Sequence, residues 1–232
     1  MPALPLTGFT LIGALCLGAV EHPQKRRRPW DKENDTIAAS LPLEKAEPTK
    51  RGILSKVARI YDPLGLASPI SLGGKLLYRD VCDAKRNWDD KLPNELKQNW
   101  VQWEERLPEQ LTVPRSLAVH QEEVQSIELH AFGDTSGKGV AAVVYAVVTQ
   151  ELGVNHGLVA ARVRLAKKGL TIPRLELVSR YMAVSLLKNV TEALKGFILT
   201  ARYFWLDSTL ALYWMRRSIV LDQVSRRIQT VR

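Results

Sequence analysis

Ile127-Glu128-Leu129-His130-Ala131-Phe132-Gly133-Asp134-Thr135-Ser136-Gly137 is the stretch whose reading decides the fold. Apolar and polar residues alternate from Ile127 to Phe132, which predicts a strand, and the run closes on an acid followed by two small hydroxyl residues. Phe197 to Leu206 predicts another strand, and it closes the same way on Asp207-Ser208-Thr209. Between them, Val140 to Val148 is nearly continuous apolar sequence, which suits a buried central strand. Gly157 to Leu165 predicts a third strand. Pro173 then opens a long amphipathic helix with Leu175, Val178, Met182, Leu186, Val190 and Leu194 on one side. Three hairpin-linked strands, a crossover helix and a further strand describe a mixed α/β layer domain. A helix through Leu210 and Trp214 and a basic tail follow.

Function in open α/β sheets gathers outside the carboxyl ends of strands. If the strands ending at Asp134 and Asp207 are parallel neighbours, the right-handed crossover brings both aspartates to one sheet end. Glu176 is expected in the first turn of the crossover helix, where it can join them. Each acid alone has a structural explanation. Both aspartates precede possible helix starts and can cap them, and the helix dipole favours Glu176. In the order strand-Asp, helix-Glu, strand-Asp, the three point to a metal site. Converging carboxylates repel unless a cation holds them. Oxygen donors without His or Cys select Mg²⁺ or Mn²⁺ over zinc, the ions of two-metal phosphodiester hydrolysis.

Working toward the N-terminus, Pro93 opens a predicted helix carrying Leu96, Trp100, Trp103 and Leu107, and the tryptophan spacing indicates core packing. An earlier helix follows Pro69 with Leu72, Leu76, Leu77, Tyr78 and Val81 on its apolar face. Before that, Arg51 to Tyr61 places Ile53, Leu54, Val57 and Ile60 together, and Asp62-Pro63-Leu64-Gly65 stops it. Asp31 to Asp35 reads as a polar turn between Trp30 and Thr36-Ile37, the sign of a small hairpin. Residues 1–29 form an apolar and basic extension expected to be poorly ordered. Leu4 to Val20 is interrupted by Pro5, Gly8, Gly13 and Gly18, and Lys25 to Arg28 follows it. It is shorter than a spanning helix and lacks the basic leader of a secretory signal, which stays the alternative.

The charge is uneven. The 232 residues carry 33 Lys and Arg against 24 Asp and Glu, net +9. From Ala161 onward there are fourteen cations against Glu176, Glu192, Asp207 and Asp222, net +10, so the whole excess sits there and the rest of the chain sums to −1. That distribution suggests a polyanionic partner, nucleic acid first, and Lys167, Lys168 and Arg174 are the candidates beside its backbone. With two cysteines and four scattered histidines, a disulfide framework and a zinc cluster are both excluded. An intracellular protein with no membrane partner is expected.

Several blocks resemble the pol polyprotein of BEL/Pao-type LTR retrotransposons, the Pao retrotransposon peptidase family. They are Thr49 to Ser55, Ala58 to Pro69 with its Asp-Pro-Leu-Gly core, Trp88-Asp89-Asp90, Leu129 to Ser136, Leu170 to Leu177 with Ile-Pro-Arg-Leu-Glu-Leu, and Trp205 to Thr209. The likeness covers residues 30–232. It implies that 30–113 is a helical module like the thumb and connection of a reverse transcriptase, and that 114–232 is a ribonuclease H-like domain. The implied fold is a mixed sheet with strands 1–3 antiparallel and strand 4 parallel to strand 1. The implied activity is Mg²⁺- or Mn²⁺-dependent cleavage of RNA in RNA–DNA hybrids, with Asp134, Glu176 and Asp207 as ligands. The implied partners are hybrid or RNA and an upstream reverse-transcriptase palm and fingers.

The chain departs from the family in three ways. Gly133-Asp134-Thr135-Ser136 replaces the usual Ser-Asp-Ala-Ser. No Tyr/Phe-x-Asp-Asp polymerase motif is present. The fold's fourth acid has no assigned counterpart, Asp222 lying too close to Asp207, so the domain is expected to be truncated at its C-terminus. The alternatives are a catalytically incomplete nucleic-acid-binding remnant and, more weakly, an aspartic peptidase. Asp134-Thr135-Ser136-Gly137 carries an extra Ser before the Gly that a peptidase loop requires.

Overall fold

The computed structural model describes residues 30–62, 64–120, 122–206 and 228–230. The apolar and basic extension, Asp207, the predicted helix after it and most of the basic tail lie outside those residues. No helix among the described residues is long and apolar enough to cross a membrane.

The predicted hairpin forms. Strands β1 (Trp30–Asp31) and β2 (Thr36–Ser40) pair antiparallel, Trp30 opposite Ile37. The Asp31 carboxylate closes the turn by accepting the backbone N–H of Glu33 and the side-chain amide of Asn34. A further strand, β3 (Gln110–Pro114), pairs with β2 and makes a three-stranded sheet. Local pattern gave no sign of β3, whose partner lies far away along the chain (Thr36 opposite Pro114).

Three helices follow the hairpin: α1 (Lys50–Ala58), α2 (Ser68–Asp83) and α3 (Asn94–Glu105). Thr49 caps α1 by accepting the Gly52 N–H. Pro93 stands at the N-cap of α3 rather than inside the helix. Ile53, Val81, Leu92 and Trp100 form the small core, with Trp103 stacked on Trp100 at 5.0 Å. The apolar face expected of α1 needs correction. Leu54 is 37% exposed, while Lys56 is buried against Glu104 of α3.

The second sheet holds β4 (Ser126–Thr135), β5 (Gly139–Gln150), β6 (Gly153–Leu165), β7 (Leu199–Leu206) and β8 (Ile228–Thr230), in the order β6-β5-β4-β7-β8. β4 is antiparallel to β5 and parallel to β7, β5 is antiparallel to β6, and β8 extends the sheet parallel to β7. This is the expected mixed α/β sheet. Helix α4 (Ile172–Ala193) covers one face through Leu175, Met182, Leu186 and Val190. They meet Ile127, Leu129 and Ala131 of β4 and the even-numbered residues Val140 to Val148 of β5.

β5 was expected to be a buried central strand. It occupies an interior position, but burial alternates along it and Tyr145 is exposed. The face of the sheet away from α4 carries His130, Phe132, Tyr145, Tyr203 and Trp205 as an aromatic cluster. Trp205 Nε1 donates to His130 Nδ1 at 3.1 Å.

The Asp62–Ala67 turn joins the helices to this sheet. Ala161 of β6 donates its N–H to the Leu64 carbonyl at 2.6 Å. Gly65 adopts φ 78°, and a Cβ there would fall 1.8 Å from the Ala161 carbonyl oxygen. The Asp62 carboxylate accepts the N–H groups of Leu66 and Ala67 at 2.8 and 2.6 Å. The block that carries the resemblance most specifically is therefore a structural latch between helices and sheet.

Candidate active site at the ends of β4 and α4

β4 does not stop before its acid. Asp134 and Thr135 stay in register with Ala141 and Val140 of β5. The next residues turn the chain into β5: Ser136 N–H donates to the Gly139 carbonyl, and Ser136 Oγ accepts the N–H groups of Lys138 and Gly139. Thr135 Oγ1 donates to the same carbonyl at 3.2 Å. Asp134 thus precedes a hairpin and caps no helix, which corrects one of the structural explanations for it. The hydroxyls of Thr135 and Ser136 hold this hairpin together.

Asp134 is exposed at the rim of the sheet, and its Oδ1 accepts the Thr135 N–H at 2.7 Å. Residues on either side of it in β4 decide what lies nearby. Gly133 sits directly beneath α4, because a Cβ on it would stand 3.1 Å from the carbonyl oxygen of Ser179. The helix backbone therefore rests on the strand backbone one residue before the acid.

Glu176 lies on the same stripe of α4. The helix starts at Ile172 with Pro173 in its first turn, so no acid falls in that turn and Glu176 opens the second. Spacings of three and four link Glu176 to Ser179, Ala183, Leu187 and Val190, all four of which are buried. Ser179 Oγ donates back to the Glu176 carbonyl at 2.8 Å. The helix runs antiparallel to β4, so Glu176 extends the stripe past the Gly133 contact, toward the end of β4 that holds Asp134. Glu176 is half-buried there. Neither carboxylate has an ion-pair partner among the described residues.

The register between β4 and β7 runs to the pair Gly133–Leu206, one residue short of both aspartates. Asp207 itself lies outside the described residues. Among the described residues no three His, Cys, Asp or Glu side chains gather at one point. The donors at this sheet end, two carboxylates without His or Cys, suit a hard divalent cation.

Of the cations named from sequence, Lys168 pairs with Asp83 at the end of α2. Lys167 and Arg174 are exposed, Arg174 in the first turn of α4. Sequence reasoning missed Arg180, four residues after Glu176, whose guanidinium burial holds its pKa below the ordinary arginine value. It also missed the part played by Gly133.

A family model described as the Pao retrotransposon-like RNaseH-like domain matches residues 49–208. Comparison with curated proteins gives no match. Among solved structures, LC11-RNase H1 in complex with RNA/DNA hybrid is 17% identical, covering 39% of this chain and 61% of that one, with a TM-score of 0.24. The foamy viral protease-reverse transcriptase dRH in complex with dsDNA is 13% identical over 77% of this chain and 34% of that one, TM-score 0.37. The foamy viral protease-reverse transcriptase in complex with dsDNA is 11% identical over 84% and 41%, TM-score 0.29. The chain spans less than two thirds of each of these three proteins.

Proposed function

Because this chain belongs to the Pao retrotransposon-like RNaseH-like domain family, we propose that it cleaves the RNA strand of RNA–DNA hybrids. In this reading residues 114–232 are the ribonuclease H-like domain and 30–113 a thumb- and connection-like module of a longer pol polyprotein. Asp134, Glu176 and Asp207 are the carboxylates that would hold Mg²⁺ or Mn²⁺. When bound, such a cation supplies Lewis-acid activation of water and of the leaving oxygen. The protein's own part is to fix the carboxylates on rigid elements and to hold the polyanion. Arg174 and Lys167 stand exposed beside the site for that second task, and Lys168 carries it only if its pairing with Asp83 gives way.

One observation carries the reading. The backbone contact of Gly133 with Ser179 packs α4 on β4 one residue before Asp134 in the strand and three residues after Glu176 in the helix, which supports a shared site. Among the described residues neither acid has an ion-pair partner, which leaves both carboxylates available to a cation.

The test uses labelled RNA–DNA hybrid with Mg²⁺ or Mn²⁺ and the variants Asp134→Asn, Glu176→Gln and Asp207→Asn. Each variant is expected to cut at least about a hundredfold more slowly, the scale of losing roughly 3 kcal/mol of transition-state stabilisation. Salt-sensitive binding without cleavage by the wild type would make the chain a nucleic-acid-binding remnant. Cleavage of a polypeptide, lost in Asp134→Asn, would make it a peptidase.

A further inference from the structure

A second basic site lies away from the carboxylates. Lys75 of α2 and Arg162 and Arg164 of β6 line a cleft of about 240 Å³ between the helices and the outer edge of the sheet, together with Ser68 and Ser71. Lys75, Arg162 and Arg164 form no ion pair among the described residues. The one carboxylate lining the cleft, Asp62, spends both oxygens on the Leu66 and Ala67 N–H groups. Three cations against that single carboxylate leave the cleft net positive, and their mutual repulsion is a cost in the free protein. An anionic ligand offsets that cost.

Geometry narrows the anion. Arg162 and Arg164 are alternate residues on an edge strand, so they share a face about 6.7 Å apart. That is the separation of successive phosphates along an extended nucleic-acid strand. Both side chains are exposed, and guanidinium forks suit phosphate oxygens. Along the chain the same segment leads through exposed Lys167 to Arg174 at the start of α4.

We infer that the cleft between α2 and β6 grips the sugar–phosphate backbone of the hybrid at a distance from the cut. This rests on the nuclease reading for the identity of the polyanion. Each phosphate contact contributes nearly one to the log–log salt dependence of binding and no sequence preference.

Fluorescence anisotropy of a labelled RNA–DNA hybrid, titrated with salt in the absence of divalent ions, tests it. Arg162→Ala/Arg164→Ala should bind about tenfold more weakly near 0.1 M salt and lower the salt slope by about 2. Arg162→Lys/Arg164→Lys should keep the slope. An alanine pair that matches the wild type in slope and affinity overturns the cleft and leaves the nuclease standing. Loss of slope in the lysine pair also overturns it, since charge would then not be the cause. A wild-type chain that cuts nothing and binds no hybrid removes both proposals.

Discussion

Gly133 and Ser179 meet backbone to backbone, closer than an ordinary Cβ contact would allow. A Cβ on Gly133 would stand 3.1 Å from the Ser179 carbonyl oxygen and 3.4 Å from the Ala183 Cβ. This contact fixes how low α4 sits on β4, and so how far Glu176 stands from Asp134.

Enlarging Gly133 should therefore act on stability and on the site together. Gly133→Ala needs the helix to give by a few tenths of an ångström and should cost about 1 kcal/mol or less. Gly133→Val forces the branched side chain into the helix backbone and should cost roughly 1–3 kcal/mol. Urea denaturation gives the cost, and hybrid cleavage at a temperature where both variants are folded gives the effect on the site. A valine variant as stable and as active as the wild type would show that α4 is not seated on this residue.

The latch at Asp62–Ala67 makes a sharper prediction. Gly65 adopts φ 78° and a Cβ would overlap the Ala161 carbonyl oxygen. Gly65→Ala must break the Leu64–Ala161 hydrogen bond or displace the turn, and should cost more than about 2 kcal/mol. Asp62→Ala loses only the two N–H contacts at the start of α2 and should cost about 1–2 kcal/mol. Limited proteolysis between Ile60 and Ser68 should speed up more for Gly65→Ala than for Asp62→Ala. The reverse order would show that the carboxylate, and not the close approach, holds the turn.

These residues also show what a sequence can and cannot disclose. The alternation of Ile127 to Phe132 and the three-to-four spacing of Leu175 to Leu194 are local periodicities, and they revealed both elements of the site. The parallel pairing of β4 with β7 was a premise of the crossover argument, implied by the resemblance and not by local pattern. Strand β3 left no such trace, because its partner β2 lies far away in the chain. Burial of Lys56 was equally invisible, since a lysine at that spacing reads as solvated until Glu104 is brought to it. Gly133 announced a departure from its family's usual serine without announcing the helix above it.

One ion pair gives a signed pH dependence. The Arg51 guanidinium, hydrogen-bonded to Asp89 at 2.7 Å, holds that carboxylate below its ordinary 3.8. A carboxylate depressed in the folded state contributes stability above its unfolded value and loses it as pH falls through the folded one. The stability difference between wild type and Arg51→Gln should thus be largest above pH 4 and shrink below it. Both side chains are exposed, so the difference is small at any pH and falls further with salt. An NMR titration in which Asp89 keeps its depressed value in Arg51→Gln would rule out the pair as the cause.

The buried pair of Lys56 and Glu104 should behave in the opposite way. Their side chains are 2% and 10% exposed and meet at 2.6 Å, so salt reaches them little. Lys56 Nζ also donates to the Glu44 carbonyl, and Glu104 Oε1 also accepts the Ala46 N–H. Removing one partner leaves a buried charge uncompensated, so Lys56→Met and Glu104→Leu should each cost about 3–5 kcal/mol. Replacing both, as Lys56→Met/Glu104→Leu, removes the stranded charge and should recover part of that loss. Recovery should stop short of wild type, because the Ala46 N–H loses its acceptor, a deficit of about 1–3 kcal/mol. Urea denaturation of the four proteins closes the cycle. Single variants that cost less than about 1 kcal/mol would mean that α1 and α3 are held by Ile53 and Trp100 alone, with the charges only tolerated between them.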